Sequence, residues 1–194
     1  MSMILRSGNR PLHELPLVTL AAGVAVSKAI AAVSGAHVGL KWVNDLICGE
    51  RKLGGILAET TGMATPYLVL GIGLNINLDA SQLCDDLAAK VTSLHEHTSE
   101  PVDVNHLLAE ICNEVEGLWQ RLEAHDTKTI LDGWRQRSVT LGRHVAVQIA
   151  DRRVEGMAHD ISETGALLLR TKSGEDLTLT AGEVQIRTLE GQYC

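Results

Sequence analysis

The run from Leu17 to Val33 is built largely from Ala, Val and Gly and is apolar on nearly every side. A helix of that composition has no face to give to solvent, so the rest of the chain must cover it on several sides. Thr19, Ser27 and Lys28 interrupt the run and leave it short of a membrane span. Pro16 suits the first helical turn and Gly35 a C-terminal cap, which brackets the helix at both ends. A chain of 194 residues, 45% hydrophobic and 21% charged, has the material to enclose such a helix. That length holds one large domain, or one ordinary domain and a small one.

The flanking patterns supply the enclosing elements. Met3 to Arg6 reads as a strand, and His37 to Trp42 as a short one. Leu46 to Cys48 and Leu53 to Glu59 read as the arms of a hairpin around Gly49-Glu50-Arg51. Tyr67 to Leu70 is an apolar strand running directly into Gly71-Ile72-Gly73-Leu74-Asn75-Ile76-Asn77. Between Leu78 and Glu100 the periodicity breaks down into short helix and loop. Val104, Leu107, Leu108, Ile111, Val115, Leu118, Trp119 and Leu122 then recur at helical spacing, and a shorter helix runs from about Lys128 to Gln136. Trp119 and Trp134 fit the core faces of these two helices. A helix followed by several strands predicts an α+β fold, a mixed sheet backed by helices. After Val139 the runs are short and β-like: Val145 to Ile149, Arg153 to Ala158, Ala166 to Arg170 and Leu177 to Thr180, with turns at Asp151-Arg152, Glu163-Thr164-Gly165 and Ser173-Gly174-Glu175. These predict a small SH3-like barrel over 139–194, after a larger domain over 1–138, with no long linker near Ser138.

Charge and composition narrow the function classes. The net charge of −7, with no block of consecutive basic residues, gives little electrostatic footprint for nucleic acid or an anionic membrane, while leaving room for local basic pockets. Met1 to Arg6 has neither the charged leader nor the cleavage site of a signal peptide, so the cytoplasm is expected. Cys48, Cys84, Cys112 and Cys194 lie far apart without a Cys-x-x-Cys pair, which argues against a zinc ribbon or a disulfide framework. His95 and His97, near Cys84-Asp85-Asp86, match no metal geometry and read as surface residues. No Gly-x-Ser-x-Gly elbow is present, which disfavours covalent hydrolysis.

Two segments concentrate polar residues. Lys41, Asn44, Asp45, Arg51 and Lys52 cluster around the hairpin, and Gly54-Gly55 follows at once. A solvated hairpin would account for the charges alone. The glycine pair, costly in a strand, points instead to something approaching the backbone closely, a ligand or a second chain. Lys41 and Lys52 lie on opposite arms of a compact unit, placed to converge on a phosphate or carboxylate. In Gly71-x-Gly73-x-Asn75-x-Asn77, Ile76 stands where a dinucleotide fingerprint has its third glycine, and no Lys-Ser/Thr ending makes a P-loop. Strand alternation puts Gly73, Asn75 and Asn77 on one face, a small residue beside two amides that suits the edge of a flat base. A strand end with turn-forming Asn residues is the competing reading.

Taken in order and at these intervals, Lys41-Trp42-Val43-Asn44-Asp45-Leu46, Arg51-Lys52-Leu53-Gly54-Gly55-Ile56-Leu57 and Gly71-Ile72-Gly73-Leu74-Asn75-Ile76-Asn77 resemble the biotin protein ligase family. Val43 departs from the pattern, since the family usually has proline there. Gly142 to Arg187, with Gly156, Gly165-Ala166-Leu167-Leu168 and Gly182-Glu183-Val184, resembles the small β-domain that follows the ligase core in bacterial members. The resemblance implies a catalytic fold of the class II aminoacyl-tRNA synthetase-like kind. It implies a two-step reaction, in which biotin's carboxylate attacks the α-phosphate of ATP and the biotinyl group then passes to a lysine of a biotin carboxyl carrier protein.

On the family pattern Lys52 contacts the biotin carboxylate and the forming acyl phosphate, and Asp45 serves the attacking lysine or a magnesium-bound phosphate. Lys41 and Asn44 support the triphosphate, Asn75 faces the adenosine, and Arg51, Gly54, Gly55 and Gly73 complete the binding surface. ATP and biotin are then substrates, with Mg2+ arriving on ATP and no metal site of the protein's own. Family members carry a Gly/Arg-rich loop upstream of the strand that here ends at Arg6, so the catalytic domain is expected to be partial, one wall of the site. Two alternatives follow: a catalytically impaired nucleotide-binding, carrier-binding or dimerising module, pairing through sheet edges, and a lipoate- or octanoate-transferring relative. Nothing in these residues supports the winged-helix repressor function of some members.

Overall fold

A computed structural model describes residues 1–6, 15–61 and 67–186. Arg187 and Cys194 lie outside the described residues. The apolar run forms α1 (Leu15–Ser34), closed by Gly35 at φ +73°, whose N–H donates to the Ala31 carbonyl at 3.0 Å. By length and composition this helix does qualify as a membrane span, but 72% of the qualifying stretch is buried inside the protein. It packs on a five-stranded sheet on one side and on two helices on the other. The composition that asked for cover receives it.

The sheet contains β1 (Ser2–Arg6), β2 (Gly39–Lys41), β3 (Asp45–Cys48), β4 (Arg51–Thr61) and β5 (Tyr67–Leu74), in the order β1-β5-β4-β3-β2. Every neighbouring pair is antiparallel. The mixed pairing expected from sequence is reduced to two isolated parallel bridges, Leu40 with Ser138 and Lys52 with Val91. Short hairpin connections explain this, because parallel neighbours need a long crossover. The β3–β4 turn places Gly49 at φ +55° and Glu50 at φ +68°, the two positive angles of a type I′ hairpin.

After a 3-10 turn at Ala80–Gln82, α2 (Asp85–Ala88) and a second 3-10 turn at Leu94–His97, two helices cover α1. The first, α3 (Val104–Glu123), starts where Asp103 accepts from the Asn105 and His106 N–H groups. It buries Leu107, Ile111, Val115, Leu118 and Leu122, while Val104 and Leu108 stay exposed, so the apolar stripe is narrower than the sequence spacing implies. The second, α4 (Thr127–Arg137), starts at an Asp126 cap and buries Ile130, Leu131 and Trp134. Trp119 is only partly buried at the rim of the core.

The remaining strands are β6 (His144–Ile149), β7 (Arg152–Ile161), β8 (Leu167–Thr171), β9 (Asp176–Leu179) and β10 (Glu183–Ile186). They form an antiparallel sheet in the order β10-β6-β7-β8-β9, SH3-like in class. The alternation in β10 spans only four residues, too few to mark a strand by periodicity. One continuous apolar core includes residues of both sheets.

Candidate functional site

The helices cover one face of the first sheet; the other face carries the polar cluster. Cross-strand register pairs Lys41 with Asp45, Asp45 with Gly55 and Gly55 with Gly73. Residues paired across a ladder share a face, so these four positions form a row over β2, β3, β4 and β5. A bulge in β4 opposite Leu46/Ile47 pairs Lys52 with Ile47, on the same face as Asp45 two residues earlier. Without that extra residue, Lys52 and Gly55 would alternate to opposite sides.

Both lysines converge on Asp45. The Lys41 ammonium lies 3.2 Å from Asp45 Oδ2, and the Lys52 ammonium contacts Oδ1. The three side chains differ in access: Asp45 is 14% exposed, Lys41 18% and Lys52 47%. The convergence expected from sequence is present, and the anion at its centre belongs to the protein. Two cations on one carboxylate leave a formal surplus of one positive charge at a site half-sheltered from water. There an approaching anion is attracted more strongly than at a free surface. The β2–β3 turn bridges the first pair: the Trp42–Val43 peptide is cis, the Asn44 carbonyl accepts from Ile56 N–H at 2.9 Å, and the Asn44 side chain is exposed.

The two adjacent glycines have different causes. A Cβ on Gly54 would fall onto the Gly73 carbonyl oxygen, so Gly54 permits the close approach of β4 and β5. The neighbour that requires glycine there is a strand of the same sheet. A Cβ on Gly55 would meet only ordinary contacts, 3.7 to 3.8 Å from the Asn44 oxygen and the end of Lys52. Gly55 and the exposed Gly73 therefore leave flat backbone beside the charged cluster. The next row on the same face pairs Leu57 with Gly71 and Gly71 with Ser2, and Leu57 is 56% exposed. Sequence reading did not single out Leu57 and Gly71 as site residues. Period-two counting from Gly55 and Gly73 finds both.

Arg51 is held elsewhere. Its strand partner is Cys48, on the core side of the sheet. Its guanidinium lies 2.6 Å from Glu96 Oε2 and donates to the Val91 carbonyl at 3.2 Å. The Arg51 hydrogen bond holds the Glu96 carboxyl below the usual glutamate range, aided by the Ser93 N–H, which donates to Glu96 at 3.0 Å. Burial pushes the nearby Cys48 thiol up. The same loop receives Asn75: its amide donates to the Thr92 carbonyl at 3.1 Å, while its own carbonyl accepts from Leu94 N–H at 2.8 Å. β5 has ended at Leu74, so strand alternation does not carry Asn75 and Asn77 onto the face of Gly73. Asn75 is half-buried at the rim and Asn77 is exposed. His97 hydrogen-bonds Thr92 Oγ1 at 2.8 Å. Among the described residues no three His, Cys, Asp or Glu side chains are grouped to hold a metal ion.

The outer face can therefore receive an elongated molecule along flat backbone, with its anionic end at the lysines. Comparisons with known proteins place the chain among its relatives. Residues 1–77 match the Biotin/lipoate A/B protein ligase family, and residues 140–187 match the Biotin protein ligase C terminal domain. The chain is 34% identical over 178 residues to the biotin–[acetyl-CoA-carboxylase] ligase of Mycobacterium tuberculosis, spanning 90% of this chain and 64% of that protein. It is 30% identical to the bifunctional ligase/repressor BirA of Bacillus subtilis, spanning 90% of this chain and 54% of that protein. It thus spans between half and two thirds of these relatives' length. Among solved structures, biotin protein ligase from Aquifex aeolicus in complex with biotin and ATP superposes with a TM-score of 0.79 at 25% identity, over 96% of this chain and 76% of that one.

Proposed function

The chain belongs to the biotin protein ligase family, and on that footing we propose that it takes part in ATP-dependent activation of biotin and transfer of the biotinyl group to a lysine of a biotin carboxyl carrier protein. The observation that carries this reading is the convergence of Lys41 and Lys52 on Asp45, in the row that continues through Gly55 and Gly73. In the first step a biotin carboxylate oxygen bonds to the α-phosphorus of ATP and pyrophosphate leaves with the electron pair of the broken P–O bond. Carboxylate and triphosphate repel each other, and cations held in place lower that repulsion most at the transition state. Lys52, the more exposed of the two, turns from Asp45 to the reacting carboxylate and phosphate, while Lys41 stays on Asp45 and holds the triphosphate side.

In the second step a neutral carrier lysine amine attacks the acyl carbon, the C–O bond to phosphate breaks with its electron pair going to the departing AMP, and the amide nitrogen releases one proton to solvent. Asp45, with Oδ1 released by Lys52, takes the hydrogen bond of the incoming amine. Gly55, Gly71 and Gly73 form the floor, Leu57 its apolar side, Asn44 the edge near the phosphates and Asn75 the adenosine side. Arg51 acts through the loop it ties down. Magnesium enters as ATP's own counter-ion. We assign residues 1–138 to the catalytic portion, 139–194 to the small β-domain, and the cytoplasm as the compartment where ATP and carrier meet.

The test is incubation of the purified chain with ATP, labelled biotin and a carrier domain, beside Lys52→Ala and a lipoate competitor. Label on the carrier that is lost in the variant and not displaced by lipoate supports the reading. A folded chain that neither forms adenylate nor transfers label sinks it. That outcome would favour a second reading, a carrier-binding or self-pairing module, for which β1 offers a sheet edge with no strand on its outer side among the described residues.

A further inference from the structure

The turn joining Lys41 to Asp45 is anchored by residues 138–140 and by Gly165, far along the chain. Residues 138–140 run beside β2: Ser138 bridges Leu40, Val139 N–H donates to the Leu40 carbonyl at 3.0 Å, and Trp42 N–H donates to Thr140 Oγ1 at 2.9 Å. Thr140 is 0% exposed and Trp42 is 1% exposed, so no water replaces that hydroxyl as acceptor. The Ser138 hydroxyl accepts from both Thr140 and Leu141 N–H at 3.1 Å, which sets the direction of the segment. The Trp42 indole N–H donates to the carbonyl of Gly165 at 3.0 Å, in the β7–β8 turn. Gly165 itself, at φ +82°, sits where a Cβ would come within 3.1 Å of Leu17 and Leu20 of α1. The first residue of the β2–β3 turn is thereby held at its backbone by Thr140 and at its ring by Gly165.

Lys41 precedes that anchored residue, and its ammonium spans the turn to Asp45. A donor left unsatisfied at Trp42 would loosen the turn at the point from which Lys41 projects. We propose that Thr140 is a positioning residue of the lysine–aspartate cluster, acting through the Trp42 backbone. That the cluster is a reaction centre rests on the function proposed above; that Thr140 holds it does not.

The test separates the two. Thr140→Val exchanges the hydroxyl for a methyl group at nearly constant volume, and Thr140→Ser restores the acceptor. Each folded protein is trace-acylated with acetic anhydride, and labelling of Lys41 is measured by mass spectrometry relative to the exposed Lys172. Acylation of Lys41 requires its amine to leave Asp45, so labelling reports how firmly the turn holds it. The valine variant should raise relative labelling of Lys41 about fivefold, the population change expected for one lost buried hydrogen bond. The serine variant should stay within about twofold of the parent chain. If Thr140→Val does not fold, Thr140→Ala, which deletes the same hydroxyl acceptor without placing a second methyl there, should raise labelling in the same direction. Unchanged Lys41 labelling in a folded Thr140→Val, or in Thr140→Ala when that is the variant used, overturns the proposal. A parent chain without biotin adenylation, alongside the labelling contrast, would refute only the function.

Discussion

Asp45 holds two ammonium groups of unequal exposure, and this separates what each lysine does. Lys52 is nearly half exposed, and an exposed ion pair contributes roughly 0–1 kcal/mol to stability. Lys52→Ala should therefore leave stability within about 1 kcal/mol while lowering adenylation about 10²- to 10³-fold, the usual loss for one preorganised electrostatic donor. Denaturant titration beside kinetics checks both halves. Lys41 is more sheltered and its loss leaves Asp45 with the mobile partner alone, so Lys41→Ala should cost more stability than Lys52→Ala. The glycines separate in the same manner. Gly54→Ala drives a methyl into the Gly73 carbonyl and should lower stability by roughly 1–3 kcal/mol, as overpacking does. Gly55→Val should fold with little change and lose biotin binding, because its side chain projects onto the open floor; calorimetric titration with biotin distinguishes the two.

Arg51 joins the β3–β4 hairpin to the loop that receives Asn75, and its partner gives the contact a pH dependence. The folded-state pKa of Glu96 is lowered by Arg51, so the stabilisation is present above the unfolded value, roughly pH 4.3, and is lost as pH falls through the lowered one. Acid unfolding monitored by circular dichroism should be less steep in Glu96→Gln. In a double-mutant cycle on KM for ATP, Arg51→Ala and Glu96→Ala should be strongly non-additive if Arg51 works through this loop. Additive losses would mean that Arg51 reaches the nucleotide directly. The charged row was legible in sequence because Lys41 and Lys52 flank one hairpin and Gly55 and Gly73 keep strand period. The bulge that turns Lys52 toward Asp45 was not, since one extra residue in a ladder leaves no periodic mark. Neither was the engagement of Asn75, whose partner Thr92 lies in a stretch without apolar rhythm, nor β10, too short to show alternation.

For the molecule as a whole, the two sheets share one apolar core and meet at Trp42, where contacts from Thr140 and Gly165 converge. Arg135 adds a link from α4 to Asp160 at 2.8 Å and to the Ile161 carbonyl at 3.1 Å. Such coupling implies one cooperative unit, so unfolding followed by tryptophan fluorescence and by far-ultraviolet circular dichroism should coincide in a single transition. Two separated transitions would show that the small sheet melts independently of the site it contacts. The helix α1 and a sheet against it were readable from composition and turn spacing, but the all-antiparallel pairing was not, nor was this joint, which rests on a single hydroxyl and a turn carbonyl that no periodic pattern advertises. In the proposed reaction, biotin's carboxylate and the α-phosphate of ATP meet at Lys52. Biotin-dependent exchange of labelled pyrophosphate into ATP measures that step without a carrier. The expected result is exchange that requires biotin and falls at least about 10²-fold in Lys52→Ala; exchange that is absent from the folded parent chain, or undiminished in the variant, would contradict it.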